Sequence, residues 1–89
     1  ILFPCCKINL GLNVVGKRPD GYHDIETVFY PVPLCDALEV TEMDAQFPSP
    51  YDCDLKVTGN AVDCDEQKNL VVKAYHLLRQ HAPIPRAHI

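Results

Sequence analysis

Eighty-nine residues accommodate one domain or part of one, and a chain this short buries only about 60% of its unfolded surface, so its core is small. Apolar residues make up 47%, a globular composition, and the net charge of −4 argues against a general nucleic-acid binder with its basic face. No apolar run approaches the roughly 20 residues of a membrane-spanning helix. Ile1-Leu2-Phe3 lack the basic region of a signal peptide, so a cytoplasmic location with no membrane partner is expected.

From Cys6 the pattern has period two. Cys6, Ile8, Leu10, Leu12 and Val14 fall on one face, and Lys7, Asn9, Gly11, Asn13 and Val15 on the other. That predicts a strand with a greasy face and a polar face. Gly11 weakens such a strand but admits a close backbone or ligand. Pro19-Asp20-Gly21 carries tight-turn chemistry: a fixed φ, a side chain that bonds its own backbone, and a residue free to take positive φ. Tyr22 and His23 emerge directly from that turn. A second strand is expected from about Ile25 to Tyr30, stopped by Pro31-Val32-Pro33.

Ala37 to Met43 reads as a third strand and Leu55 to Thr58 as a fourth, with a proline-containing loop between them. Asp63 or Asp65 is placed to cap a helix, with Glu66 three residues past Asp63. From about Gln67 to His81 the period is helical, with Leu70, Val71, Ala74, Leu77 and Leu78 on the apolar face. Pro83 and Pro85 end it. The fold class expected is α+β: a small antiparallel-leaning mixed sheet with one helix packed on it.

Five cysteines, two of them adjacent, make a poor disulfide framework, and free thiols are expected. No C-x-x-C occurs, and Cys53 and Cys64 stand too far in sequence from His76 and His81 for a zinc site, so no metal is expected. Lys7 is either a group that stabilises developing negative charge or a solvated strand lysine. Tyr22 and His23 suit a base-binding pair, one ring stacking and the imidazole reading the base edge, or else a packed turn tyrosine beside an exposed histidine. Asn9 and Asn13 either bond substrate hydroxyls or simply face outward. Asp20 reads as a turn former, Thr27 has no assigned role, and His76, His81 and His88 read as helix surface or tail. Lys7 and the ring pair are expected to face one nucleotide-sized hollow.

The stretch KINLGLNVVGKRPDGYHDIETVF, Lys7 to Phe29, resembles the N-terminal signature of the 4-diphosphocytidyl-2-C-methylerythritol kinases of the GHMP superfamily. That signature runs roughly P-x-A-K-x-N-L-x-L-x-V-x-x-x-R-x-D-G-Y-H-x-x-x-T, and R-x-D-G-Y-H after K-x-N-L is its specific part. The resemblance covers positions 4–42 well, and NLVVKAYHLL at 69–78 is similar to the family's first helix. It implies the N-terminal part of a GHMP-kinase domain over residues 1–89. It also implies an ATP- and Mg2+-dependent kinase of non-mevalonate isoprenoid precursor synthesis, acting on the 2-hydroxyl of a cytidine diphosphate conjugate of methylerythritol. In those terms Lys7 is the catalytic residue beside the reacting hydroxyl and Asn9 lines the substrate pocket. Tyr22 stacks on cytosine and His23 hydrogen-bonds the base.

Cys5-Cys6 replaces the usual small residue or Asn followed by Ala. The glycine-rich loop P-x-x-x-G-L-G-S-S and the aspartate after it do not occur in these residues. The chain therefore reads as a truncated N-terminal segment, inactive alone and binding neither ATP nor Mg2+ by itself. Oligomerisation is left open. The alternative is a non-catalytic module that binds a cytidine nucleotide or a partner.

Overall fold

The computed structural model describes residues 1–89. It holds two sheets and one helix, in two compact units, Leu2–Ala37 and Leu38–Ile89. The fold is a small mixed α/β arrangement.

The first unit is a ribbon. Strands β1 (Cys5–Lys17) and β2 (His23–Cys35) pair antiparallel over nearly their whole length. Two expectations about it are corrected. The period-two face does not run unbroken, because the register shifts between Asn9 and Leu12. Asn9 faces Phe29 and Leu12 faces Thr27, so Leu10 and Gly11 together oppose Val28. This is a β-bulge, and Gly11 supplies the positive φ of +76° that it needs. The Thr27 hydroxyl donates to the Gly11 carbonyl at 2.6 Å and pins it. One inserted residue flips every later side chain to the other face. Leu12 and Val14 therefore share a face with Lys7 and Asn9, opposite Ile25, Thr27 and Phe29, and not with Cys6 and Ile8.

The second correction concerns β2, which runs through Pro31 and Pro33 to Cys35. In a two-stranded ribbon every second N–H points away from the partner strand. Pro31 faces Lys7, where its missing donor can lie on the outer edge, and Pro33 falls with Leu34 in the irregularity between Val32 and Cys35, a place that tolerates proline.

The second unit is built around Cys53, Val72, Tyr75 and Ala87, with Leu55, Ile84 and Ile89 packed against them. The predicted third and fourth strands are much shorter and shifted. They are β3 (Thr41–Glu42) and β4 (Cys53–Asp54), and both pair with β5 (Ala87–His88). The order is β3-β5-β4, with β3 antiparallel and β4 parallel to β5. These are therefore two sheets, not one. Bonds from Ile89 N–H to Asp54 O at 2.9 Å and from Lys56 N–H to Ile89 O at 2.9 Å extend the parallel pairing.

Asp65 caps a 3-10 turn at Glu66–Lys68 by accepting from Gln67 N–H. Asn69 then caps helix α1 (Leu70–His81) by accepting from Val71 N–H at 3.0 Å. The 3-10 turn moves the helix start three residues past the expected Gln67. The buried face also differs: Val72 and Tyr75 are inside, whereas Leu70 is 78% exposed and Leu77 and Leu78 are exposed as well. The helical period identified the helix but not which of its stripes the sheet covers. Val71, Ala74 and Leu78 instead line an apolar hollow of about 520 Å³ with Val40 and Ile84.

Candidate functional site

The sequence-predicted residues all lie on the ribbon. Its corner is built locally. Arg18 C=O accepts from Gly21 N–H at 3.1 Å, Arg18 N–H donates to Tyr22 O at 2.7 Å, and Asp20 Oδ1 accepts from Tyr22 N–H at 3.0 Å. Gly21 takes the positive φ of +88° that closes this turn. Asp20 is thus a turn former, as expected. Arg18, which sequence reasoning left without a role, ties the corner together. Its guanidinium lies 3.6 Å from Asp20, 3.8 Å from Asp24 and 5.7 Å from the centre of the Tyr22 ring. Basic residues flanked by acids at i+2 and i+6 around a turn are the signal that could have found it. Tyr22 is 69% exposed and His23 is exposed beside it, so both rings are open to a planar ligand.

Lys7 and Asn9 stand on one face near the ribbon's open end. Lys7 Nζ donates to Asn9 Oδ1 at 3.5 Å and sits 4.1 Å above the Phe29 ring. Phe29, the cross-strand partner of Asn9, thus steadies the ammonium through its negative π face. Pairing partners are not visible in sequence, so Phe29 was missed. Asn13 faces Glu26 on the opposite surface, and the flip at Gly11 separates it from Asn9.

The shared hollow expected between Lys7 and the ring pair is not formed by the ribbon. Lys7 pairs with Pro31, whereas His23 pairs with Lys17. Eight residues of extended chain on β2, from Pro31 to His23, separate the two groups by on the order of 25 Å. The structure joins Lys7 to Asn9, and Tyr22 to His23, but not the first pair to the second. The apolar hollow of the second unit contains none of these four residues.

His88, expected as helix surface or tail, is neither. His88 lies in β5, edge-on to Phe47 with centroids 4.7 Å apart, and 3.8 Å from Asp54. Arg86 donates to the carbonyls of Ala45 (3.4 Å), Phe47 (3.2 Å), Ser49 (2.9 Å) and Tyr51 (2.9 Å), and pairs with Asp52 at 3.5 Å. Arg79 meets the same Asp52 at 2.6 Å, and this hydrogen bond pushes its proton affinity further up. Tyr75 OH donates to Pro85 O at 2.9 Å. This network holds the 44–52 loop to the sheet and has no group poised for chemistry.

Comparison with known proteins gives first a class and then a particular kin. The class is kinases: this chain is similar to part of proteins that carry that name. The particular kin are proteins named 4-diphosphocytidyl-2-C-methyl-D-erythritol kinase. The chain is 53% identical to the one from Parabacteroides distasonis and 52% identical to the one from Bacteroides fragilis, each over 85 residues and 96% of its length. It is 44% identical to the one from Cytophaga hutchinsonii over 90 residues. The chain spans about 30% of the length of these curated relatives. No protein-family model matches it. No solved structure matches it. The resemblance read from K-x-N-L and R-x-D-G-Y-H is thus shown.

Proposed function

We propose that these residues form the substrate-facing segment, at the N-terminal side of a GHMP-type domain, of an ATP-dependent kinase. That kinase phosphorylates the 2-hydroxyl of 4-(cytidine 5'-diphospho)-2-C-methyl-D-erythritol in non-mevalonate isoprenoid precursor synthesis. The observation that carries this reading is the identity of about half of all positions to proteins of that name over 96% of the chain.

Tyr22 and His23 serve the base end. An open tyrosine ring held by the Arg18 turn offers a stacking surface, and the adjacent imidazole a hydrogen bond to the base edge. Lys7 and Asn9 serve the alcohol end. An ammonium fixed over Phe29 and beside an amide is suited to neutralise charge that grows as the hydroxyl attacks phosphorus, which is where phosphoryl transfer needs help. The two roles are separable, because the ribbon's length lies between them. One extended substrate reaches both only if the ribbon coils over it, and the bulges at Gly11 and Val15 are where ribbons bend.

The residues do not fit the cofactor: no three His, Cys, Asp or Glu side chains converge on a possible metal position, and no glycine-rich phosphate loop is in the sequence. We assign no contact with ATP or Mg2+ to this chain.

The test is Tyr22→Ala in the kinase that contains this chain. Loss of one stacked base should raise KM for the cytidine conjugate about tenfold or more, at about 1–3 kcal/mol per base, with kcat and folding kept. An unchanged KM would remove the base-binding role from the corner.

A further inference from the structure

The open end of the ribbon carries a feature that phosphoryl transfer does not use. Cys5 and Cys35 are cross-strand partners at the last position of the ladder, with their Sγ atoms 2.7 Å apart and both side chains exposed. The Asp36 N–H donates to Pro4 O at 3.0 Å just outside them. That bond pattern makes Cys5 and Cys35 a facing pair without mutual backbone bonds, the type whose side chains come closest. Facing residues of this kind have Cα separations of about 4.5 Å, at the near end of the range a disulfide spans. Cys35 holds its proton above the ordinary thiol value, first because Cys5 hydrogen-bonds it and then through burial and the neighbouring Cys5, Cys6 and Asp36. Each sulfur is already the other's partner. Cys6, next in sequence, pairs instead with Val32, and Cys53 is fully buried in the other unit.

We propose that Cys5 and Cys35 form a reversible redox site, closing to a disulfide that staples the open end of the ribbon two residues from Lys7. The co-reactant is a low-molecular-weight disulfide of the glutathione class. The thiolate of one cysteine attacks a sulfur of that disulfide and forms a mixed disulfide, releasing one small thiolate. The second cysteine, as thiolate, then attacks the protein-side sulfur, forming the Cys5–Cys35 bond and releasing the second small thiolate. The protein loses two electrons and two protons, and the small disulfide gains both. Excess small thiol reverses the two steps. The five-cysteine count hid this site, since an odd number with an adjacent pair argues against a disulfide framework. Only strand pairing selects the one combination of thiols, 30 residues apart in sequence, that touches.

The experiment equilibrates the purified kinase that contains this chain in glutathione buffers from fully reduced to fully oxidised. Free thiols are then alkylated, and the intact mass and the cross-linked peptides are read. A single internal bond between Cys5 and Cys35 is expected. It should persist when Cys6, Cys53 and Cys64 are all replaced by serine, and be absent from Cys35→Ser. In the triple-serine protein, the equilibrium constant for closure against glutathione should fall at least tenfold in concentrated urea, because the ribbon no longer holds the sulfurs together. Dominant Cys5–Cys6 or intermolecular bonds would overturn the proposal. So would glutathione adducts that never resolve, or a closure constant insensitive to urea.

Discussion

The two units solve the problem of a short chain in opposite ways. Leu2–Ala37 is held by a long ladder of backbone hydrogen bonds, and none of its residues is buried. Ile8, Val14, Val28 and Phe29 are each about half exposed or more. Leu38–Ile89 has very little regular sheet, yet it encloses Cys53, Val72, Tyr75 and Ala87 and locks its loop with Arg86. The residues proposed to meet substrate lie on the unit with no core, and the core lies on the unit without them. Pairing of two strands alone is marginal in water, so the ribbon's shape depends on its turn and bulges, whereas the other unit depends on burial.

The sharpest way to break this comparison is Lys7→Ala in the kinase that contains the chain. If Lys7 stabilises developing charge, kcat falls by about 10²–10³, while thermal stability stays close to the parent's, since the side chain is exposed and covers no core. A large loss of stability with kcat preserved would make Lys7 a structural residue of the ribbon.

The counterpart in the other unit is Arg86→Ala. It removes donors from four carbonyls and a partner from Asp52, and hydrogen bonds to a charged group are worth more than neutral ones. A destabilisation of about 2–4 kcal/mol is expected by denaturant titration, with Tyr22 and His23 NMR signals unmoved. Loss of those ring signals' positions would show that the two units are not energetically separate.

A smaller effect is expected from Gly11→Ala. No atom lies within 4 Å of where the new methyl would go, so the cost is conformational only: a φ of +76° that an L-residue resists, about 1 kcal/mol. The expected reading is faster amide exchange in Leu10–Thr27 and little change in α1. If the variant were as stable as the parent, the bulge would not be the feature that sets the ribbon's faces.

The smallest effect is a pH dependence. Burial, and then the nearby Asp54 and Glu66, push the Cys53 thiol above its ordinary value of 9.0. The folded state therefore holds this proton more tightly than the unfolded state. Its contribution is intact below pH 9.0 and is lost as pH rises through the higher folded value. Stability should decline as pH rises from 9.0 through the folded value, and Cys53→Ala should flatten that alkaline limb. An unchanged slope would assign the decline to other groups.

The sequence was most informative where the structure is local. The Pro19-Asp20-Gly21 corner, the Asp65 cap and the end of α1 near Pro83 all follow from interactions spanning a few residues. It misled where a single remote contact decides. Period two placed Leu12 and Val14 opposite Lys7, because nothing in LGLNVV says that Gly11 bulges until Thr27 is across from it. Prolines 31 and 33 looked like a stop because an edge cannot be distinguished from a centre without the partner strand. His88 looked like tail because β5 is two residues long and acquires meaning only between β3 and β4.

What the chain's letters determined alone was the signature, K-x-N-L followed by R-x-D-G-Y-H, and with it the relationship to the methylerythritol kinases. They determined too that each of these groups sits on a strand or beside a turn, since alternation and turn chemistry are properties of neighbours in sequence. The tertiary structure alone decided which groups meet. Lys7 meets Phe29, Cys5 meets Cys35, Arg86 meets four carbonyls, and Lys7 does not meet Tyr22. Contacts between residues 20 to 40 positions apart depend on strand register and on each inserted residue, and period and composition contain no information about either.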